Sequence, residues 1–338
     1  MRGALAGSLA ALLLAGGLGA TRAEAGDPIR IGYVGTSLAS LAIVVADGKG
    51  FFAAQGLDAK LLPFESSQPI ALAIASGDAD FGTTGLSEPF FVLGHQGTLK
   101  IIGGDTVEHK GFHGLGFVAS NQAYAAGLTS VQKLGGHSIG ITQPGSPLEY
   151  SMALVLDKYG IDFKTVRVMG LQSNPNVASA LTGNQVDAAI MSSANLYAIV
   201  NRGAAQPIGW LDDEVHGADV SGTVTSAKFA NERPETVRRF LAAFRQGAQA
   251  WDTAFLDAQG NRADQANAGE MIALVAKGLG QPEEVVRRGL NYVDPEARIA
   301  VADLQRMLDW YERKGLQKFH VDARELIDLR YAKLADRR

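Results

Sequence analysis

The 338-residue chain has no cysteine. That excludes disulfides, thiolate metal sites, cysteine nucleophiles and a lipid-attachment cysteine together. Beyond residue 25 no segment supplies the roughly 18 uninterrupted apolar residues of a spanning helix. There is no basic run and no basic–aromatic stripe, and the formal net charge is −4, so the electrostatic footprint of a nucleic-acid binder is missing. P-loop and H-E-x-x-H patterns are likewise missing. Hydroxyls without a neighbouring base are not activated nucleophiles. What remains, with 20% charged and 46% hydrophobic residues, is the balance of an ordinary globular protein.

The N-terminus carries an address. Arg2 precedes an uncharged, apolar run from Gly3 to Ala20, followed by Ala23-Glu24-Ala25. A basic start, a short apolar core and a small-x-small site read as a secretory signal peptide over residues 1–25, with the mature chain starting at Gly26. Without a lipidation cysteine, the expected location in a bacterium with two membranes is the periplasm. The remaining length is long for one core and suits two lobes.

Short apolar runs alternate with helical patterns. Ile29–Val34, Leu57–Leu62 and Ala79–Gly82 read as strands, with helices over Leu38–Phe52 and Gln68–Ser76 between them and Gly77 as a C-cap. Such alternation predicts α/β sheets with crossover helices. The pattern then recurs. Gly56-Leu57-Asp58 returns as Gly160-Ile161-Asp162, and Ile70 to Asp80 returns as Val177 to Asp187, each ending helix–Gly–x–x–Asp. One supersecondary unit, used once per lobe, accounts for both copies. From Asn231 the chain reads as mostly helical. Asn231 is a candidate cap and Pro234 suits a first turn. Val237, Phe240, Leu241 and Phe244 share a face. Further helices are expected over Pro282–Tyr292, Val301–Lys314 and Asp322–Leu334.

Three sets of residues carry a resemblance. They are Ile29-Arg30-Ile31-Gly32-Tyr33, Gly50-Phe51-Phe52-Ala53-Ala54-Gln55-Gly56-Leu57 and Ala75 through Gly85, joined in the second half by Gly140-Ile141-Thr142-Gln143-Pro144-Gly145-Ser146 and Gly183 through Ala189. In this order and spacing the chain resembles the sulfonate/nitrate/taurine and pyrimidine-precursor (NMT1/THI5-like) solute-binding proteins of ABC importers. The resemblance implies the α/β, two-lobed type II periplasmic binding protein fold, each lobe a mostly parallel sheet flanked by helices, with a helical C-terminal extension. It also implies a discontinuous layout: lobe 1 over 27–112 and 222–338, lobe 2 over 113–221, with crossing strands near Gly114–Val118 and Ser221–Thr225. The implied partner is a membrane permease, with a monomer expected, no cofactor, no metal and no nucleic acid.

In open α/β sheets, ligands sit beyond the carboxyl ends of strands, where helix N-termini point inward. Four turns fit: Gly35-Thr36-Ser37-Leu38, Thr83-Thr84-Gly85-Leu86-Ser87, Thr142-Gln143-Pro144-Gly145-Ser146 and Ser192-Ser193-Ala194-Asn195. All carry hydroxyls, amides or glycine and none carries Lys or Arg. Backbone N–H groups and a helix dipole can hold an oxyanion without a basic side chain. The same hydroxyls also serve as ordinary helix caps. Candidate ligand contacts are therefore Thr36, Ser37 and Leu38; Thr83, Thr84, Gly85 and Glu88; Gly145 and Ser146; Ser192, Ser193 and Asn195; and His113. His113 belongs to a polar group with Asp105, Glu108 and His109 at the expected lobe crossing. Lys110-Gly111 breaks any helix that would set His109 and His113 together as metal ligands.

The expected cargo is a small organic, anionic solute, carboxylate- or sulfonate-like. Two features qualify it. Glu88 would favour an amine or ring N–H if it faced the cleft, and its ordinary role is to complement a helix dipole. Met191-Ser192-Ser193-Ala194-Asn195-Leu196-Tyr197 also departs from the Trp-Asp-Pro-like stretch of sulfonate binders. Tyr197 or Phe112 could stack on a flat ligand. The alternatives are a neutral or cationic heterocycle such as a pyrimidine precursor, and a precursor-synthesising enzyme of the same fold. The enzyme would need His and Cys chemistry that a chain without cysteine does not supply. A sensor input domain would differ in partner rather than in pocket.

Overall fold

The computed structural model describes residues 26–215 and 221–335. The expected leader, residues 1–25, lies outside them. The described chain builds two five-stranded sheets from strands β1 Asp27–Val34, β2 Leu57–Phe64, β3 Phe81–Gly85, β4 Leu99–Gly104, β6 Leu115–Ser120, β7 Ser138–Ile141, β8 Arg167–Gly170, β9 Ala188–Ser192, β10 Ala205–Trp210 and β11 Ser221–Ser226, while the two-residue β5 Thr106–Val107 lies outside both. One sheet has the order β2-β1-β3-β11-β4 and the other β10-β6-β9-β7-β8. The expected α/β class with parallel-rich sheets flanked by helices is what the structure shows.

The two sheets have the same topology. In the first, β1 lies parallel to β2 and β3, while β11 runs antiparallel between β3 and β4. In the second, β7 lies parallel to β8 and β9, while β6 runs antiparallel between β9 and β10. Each sheet thus takes in one antiparallel strand from the segments expected to cross between lobes.

The repeat in the sequence has a physical cause. Asp80 accepts the Arg30 backbone N–H at 2.7 Å, and its own N–H returns to the Arg30 carbonyl at 2.9 Å. Asp187 accepts the Ser138 N–H at 2.8 Å and returns its N–H at 3.1 Å. In both sheets the aspartate after the helix–Gly turn pins the backbone of the neighbouring parallel strand, β1 at Arg30 and β7 at Ser138. The preceding helices, Ser67–Ser76 and Asn174–Thr182, match the repeat. The strands after Gly56 and Gly160 do not. β2 begins at Leu57, whereas Asp162 caps a 3-10 turn over Phe163–Thr165 and β8 starts only at Arg167.

Several expected boundaries shift for identifiable reasons. The helix expected over 38–52 is a 3-10 turn, Leu38–Ser40, then Leu41–Gly48, and it breaks at left-handed Gly50 (φ 73°) before Phe51–Ala54. β3 starts at Phe81 rather than Ala79, because Asp78 and Ala79 donate backward to the Ala73 carbonyl in the helix cap at Gly77. Asn231 is not a cap; it lies inside a short helix, Ala227–Glu232, capped by Ser226. The segment after Pro282 is helical only over Glu283–Arg288, because Tyr292–Val293 leaves to pair with β5. The terminal helix shortens to Ala323–Leu326. Ile327 bridges to Ile101, and Lys333–Leu334 pairs with Arg298–Ile299. Sheet pairing outweighs helix propensity in both places.

Helix Pro234–Phe255 buries Val237, Phe240, Leu241 and Phe244 as the pattern expected. Phe240 stacks on Phe81 with centroids 3.9 Å apart and on Phe52 at 5.9 Å. At Gly247 this helix passes so close to helix Leu41–Gly48 that an added Cβ would lie 2.2 Å from the Ala42 carbonyl oxygen.

Candidate functional site

The carboxyl ends of the parallel strands of both sheets face one cavity of about 790 Å³, its open mouth included. The first sheet contributes Val34 at the end of β1 and Ser37 after it, Ser66 and Ser67 after β2, and Thr83, Thr84 and Gly85 at the end of β3. The second contributes Thr142 after β7, Ser146 and Pro147 at a helix start, Asn174 after β8, and Ser192 at the end of β9. The crossing segments supply Glu108, Gly114, Leu115 and Ser221, and the C-terminal part supplies Asn291. Helices Ser67–Ser76, Pro147–Lys158, Asn174–Thr182 and Ser193–Val200 all begin at this wall, which makes it a place of free N–H groups and positive dipole ends.

The walls approach each other tightly. A Cβ on Gly85 would lie 2.5 Å from Pro147 Cγ and 3.0 Å from Ser67 Oγ. The Gly145 carbonyl receives the Glu88 N–H at 2.9 Å and the Tyr311 hydroxyl at 3.0 Å. Gln68 donates to the Pro144 carbonyl at 3.1 Å. The loop after β7 is therefore held against the first sheet's elements by three donors.

Of the candidate contacts read from sequence, Ser37, Thr83, Thr84, Gly85, Ser146 and Ser192 line the cavity. Thr36 stands just behind it, accepting from Asn174 and Asn195 at 3.4 Å each, and Asn195 also donates to Ser192 at 2.8 Å. Leu38 is fully buried core. Ser193 is buried and donates to the Gly289 carbonyl. Gly145 and Glu88 form the inter-sheet contact instead of lining the cavity, and burial raises the Glu88 carboxyl above its ordinary range. His113 stacks on Trp210 at 4.5 Å, where burial lowers its pKa. Tyr197 packs on Trp210, and Phe112 packs between His109 and Tyr292. Neither ring reaches the cavity.

Four lining side chains, each at most 7% exposed, hold a polar atom with no protein partner: Thr83 Oγ1, Ser146 Oγ, Glu108 Oε2 and Asn291 Oδ1. A buried polar atom without a partner is costly, so these four form the part of the wall that a bound molecule would satisfy. Among the described residues, Glu108 is the one ionisable residue that lines the cavity. Burial, and secondarily the charge of Asp212, pushes its carboxyl well above the usual range.

Sequence reading overlooked Ser66, Ser67 and Asn174, although the same strand-to-helix rule selects them. It placed Glu108 near the crossing without singling it out. Asn291 had no local signal. It reaches the site because Tyr292 pairs with Val107, which sets Asn291 opposite Glu108 one step along the antiparallel ladder.

Residues 38–252 match the family described as NMT1/THI5 like. A curated protein of Brucella abortus (strain 2308), provisionally named a binding protein, is 28% identical over 163 residues, 48% of this chain and 47% of that protein. The chain thus spans about half the length of the curated relatives it matches. The alkanesulfonate-binding protein SsuA from Xanthomonas axonopodis pv. citri, solved with MOPS, superposes with a TM-score of 0.70 at 18% identity, over 90% of this chain and 99% of that one. The periplasmic nitrate-binding protein NrtA from Synechocystis PCC 6803 superposes with a TM-score of 0.68 at 16% identity, over 88% and 84%. These likenesses establish the fold, and the proteins named are binding proteins rather than enzymes.

Proposed function

Because the chain belongs to the NMT1/THI5-like family, we propose that it is an extracytoplasmic solute-binding protein that closes two lobes over a small organic solute and delivers it to an ABC importer. The supporting observation is the cavity itself, where the strand ends of both sheets present hydroxyls, amides and helix N-termini, several of them buried without partners. Preformed, concave and polar at selected points, it has the character of a ligand site. Acceptor oxygens of a carboxylate- or sulfonate-like group suit the hydroxyls and helix N-termini.

The lobes in this reading are residues 27–112 with 222–338, and 113–221. The crossing segments around Gly114–Val118 and Ser221–Thr225 act as hinges. Gly145, held by Glu88 and Tyr311, is the latch of the closed form. The protein acts as a monomer in the periplasm after removal of residues 1–25.

The test is calorimetric titration of the purified chain with the solute class that most raises its thermal stability. The reading expects one bound molecule per chain and unchanged ligand after incubation. Turnover of the ligand would replace it with an enzymatic one.

A further inference from the structure

Glu108 and Asn291 come from segments almost two hundred residues apart, yet they face one another. Val107 pairs with Tyr292 in an antiparallel ladder. Opposite residues of such a pair share a face, so the next step sets Glu108 and Asn291 side by side. A Cβ built on Gly114 would lie 3.4 Å from both Asn291 Nδ2 and Glu108 Oε1. The two side chains thus converge on the crossing segment at the cavity wall. Asn291 is further fixed by its backbone carbonyl, which accepts from Trp251 Nε1 at 3.0 Å.

The free atoms of this pair are both acceptors, Glu108 Oε2 and Asn291 Oδ1. No Lys, Arg or His lines the cavity among the described residues. We propose that the Glu108–Asn291 pair is a receptor for a nitrogen cation, so that the solute carries an ammonium, amidinium or guanidinium group. This deepens the solute-binding reading and rests on it. A nitrogen cation supplies N–H donors to both orphan oxygens and balances the one carboxylate in the wall. A solute bearing only negative charge would face that carboxylate with no cation among the described lining residues to offset it. Burial and Asp212 hold the Glu108 carboxyl above its usual range, and a nitrogen cation bound beside it would favour its ionised form. An acceptor group at the solute's other end still meets the hydroxyls of Thr83 and Ser146. A zwitterion or an amino alcohol therefore satisfies both parts of the wall, and the charge expected from sequence is incomplete rather than reversed.

The test is a thermal-shift and calorimetry panel of matched pairs: short carboxylates, sulfonates and alcohols, each with and without a terminal amine or guanidine, together with nitrate. The proposal expects the nitrogen-bearing member of a pair to raise Tm more. Glu108→Gln should weaken its binding about tenfold or more, the range of a hydrogen bond to a charged group. Asn291→Asp, which adds a second carboxylate, should strengthen binding of the same compound, and it keeps the test alive if Glu108→Gln fails to fold. Binding confined to anions or neutral members, or binding of amines unchanged in both variants, overturns the cation receptor and leaves solute binding intact. If no member of any class binds, the solute-binding reading fails and the receptor fails with it.

Discussion

Thr83, near the end of β3, and Ser146, in the loop after β7, carry buried hydroxyls that have no protein partner. Truncating either removes one donor and acceptor from the proposed contact, worth about 0.5–1.5 kcal/mol net. Thr83→Val and Ser146→Ala should each weaken solute binding by about three- to tenfold in calorimetry while leaving the unfolding curve of the unliganded protein nearly unchanged. Affinity equal to wild type in both would move the contact elsewhere. Asp252 shows a different residue-scale effect. It is 8% exposed, and burial, followed by the charge of Asp294, raises its pKa to about 8. Its folded pKa exceeds the unfolded one, so the folded state holds the extra proton between pH of about 4 and 8, and stability falls as pH rises through that window. Asp252→Asn removes this titration. Thermal melts at pH 5 and 8 should show a smaller loss of Tm in the variant than in wild type. Equal losses would place the pH sensitivity on other groups. At this scale the sequence revealed hydroxyls placed by local turns, such as Ser37 and Ser192. It did not reveal Glu108 and Asn291 as partners, because their meeting depends on a two-residue ladder between distant segments.

At the scale of elements, helix positions followed from periodicity and ends from competition. The stripe Val237, Phe240, Leu241 and Phe244 was readable because it is a face repeated at helical spacing and buried against Phe81 and Phe52. The terminal helix was not, because Ile327 and Lys333–Leu334 find strand partners that only the folded sheet edge provides. Gly247 is another feature without a local signal. In an isolated helix, Gly→Ala gains about 1 kcal/mol. Here the added methyl would meet the Ala42 carbonyl at 2.2 Å, and helix separation costs about 1–3 kcal/mol. Gly247→Ala should therefore lower the stability measured by urea unfolding. A stabilised variant would mean that the two helices part without cost.

For the molecule as a whole, the repeat was the most informative feature of the sequence. Two aspartates, Asp80 and Asp187, pin equivalent strands, and two sheets of the same order follow. How the sheets meet was not legible, because the contacts that join them run through single atoms. The Gly145 carbonyl, taken by Glu88 and Tyr311, is the chief example. Tyr311→Phe keeps the ring and removes one of these donors. If the contact is a closing latch, solute should dissociate about three- to tenfold faster in stopped-flow measurements, the loss of one hydrogen bond, with association little changed. An unaltered dissociation rate would make Gly145 a static contact.

The central claim, capture of a small solute in the shared cavity, is tested most directly by native mass spectrometry of the protein purified from exporting cells and after incubation with the matched-pair panel. The account predicts a one-to-one, non-covalent adduct of a small organic molecule that is lost on collisional activation. The bare polypeptide mass under both conditions would contradict it.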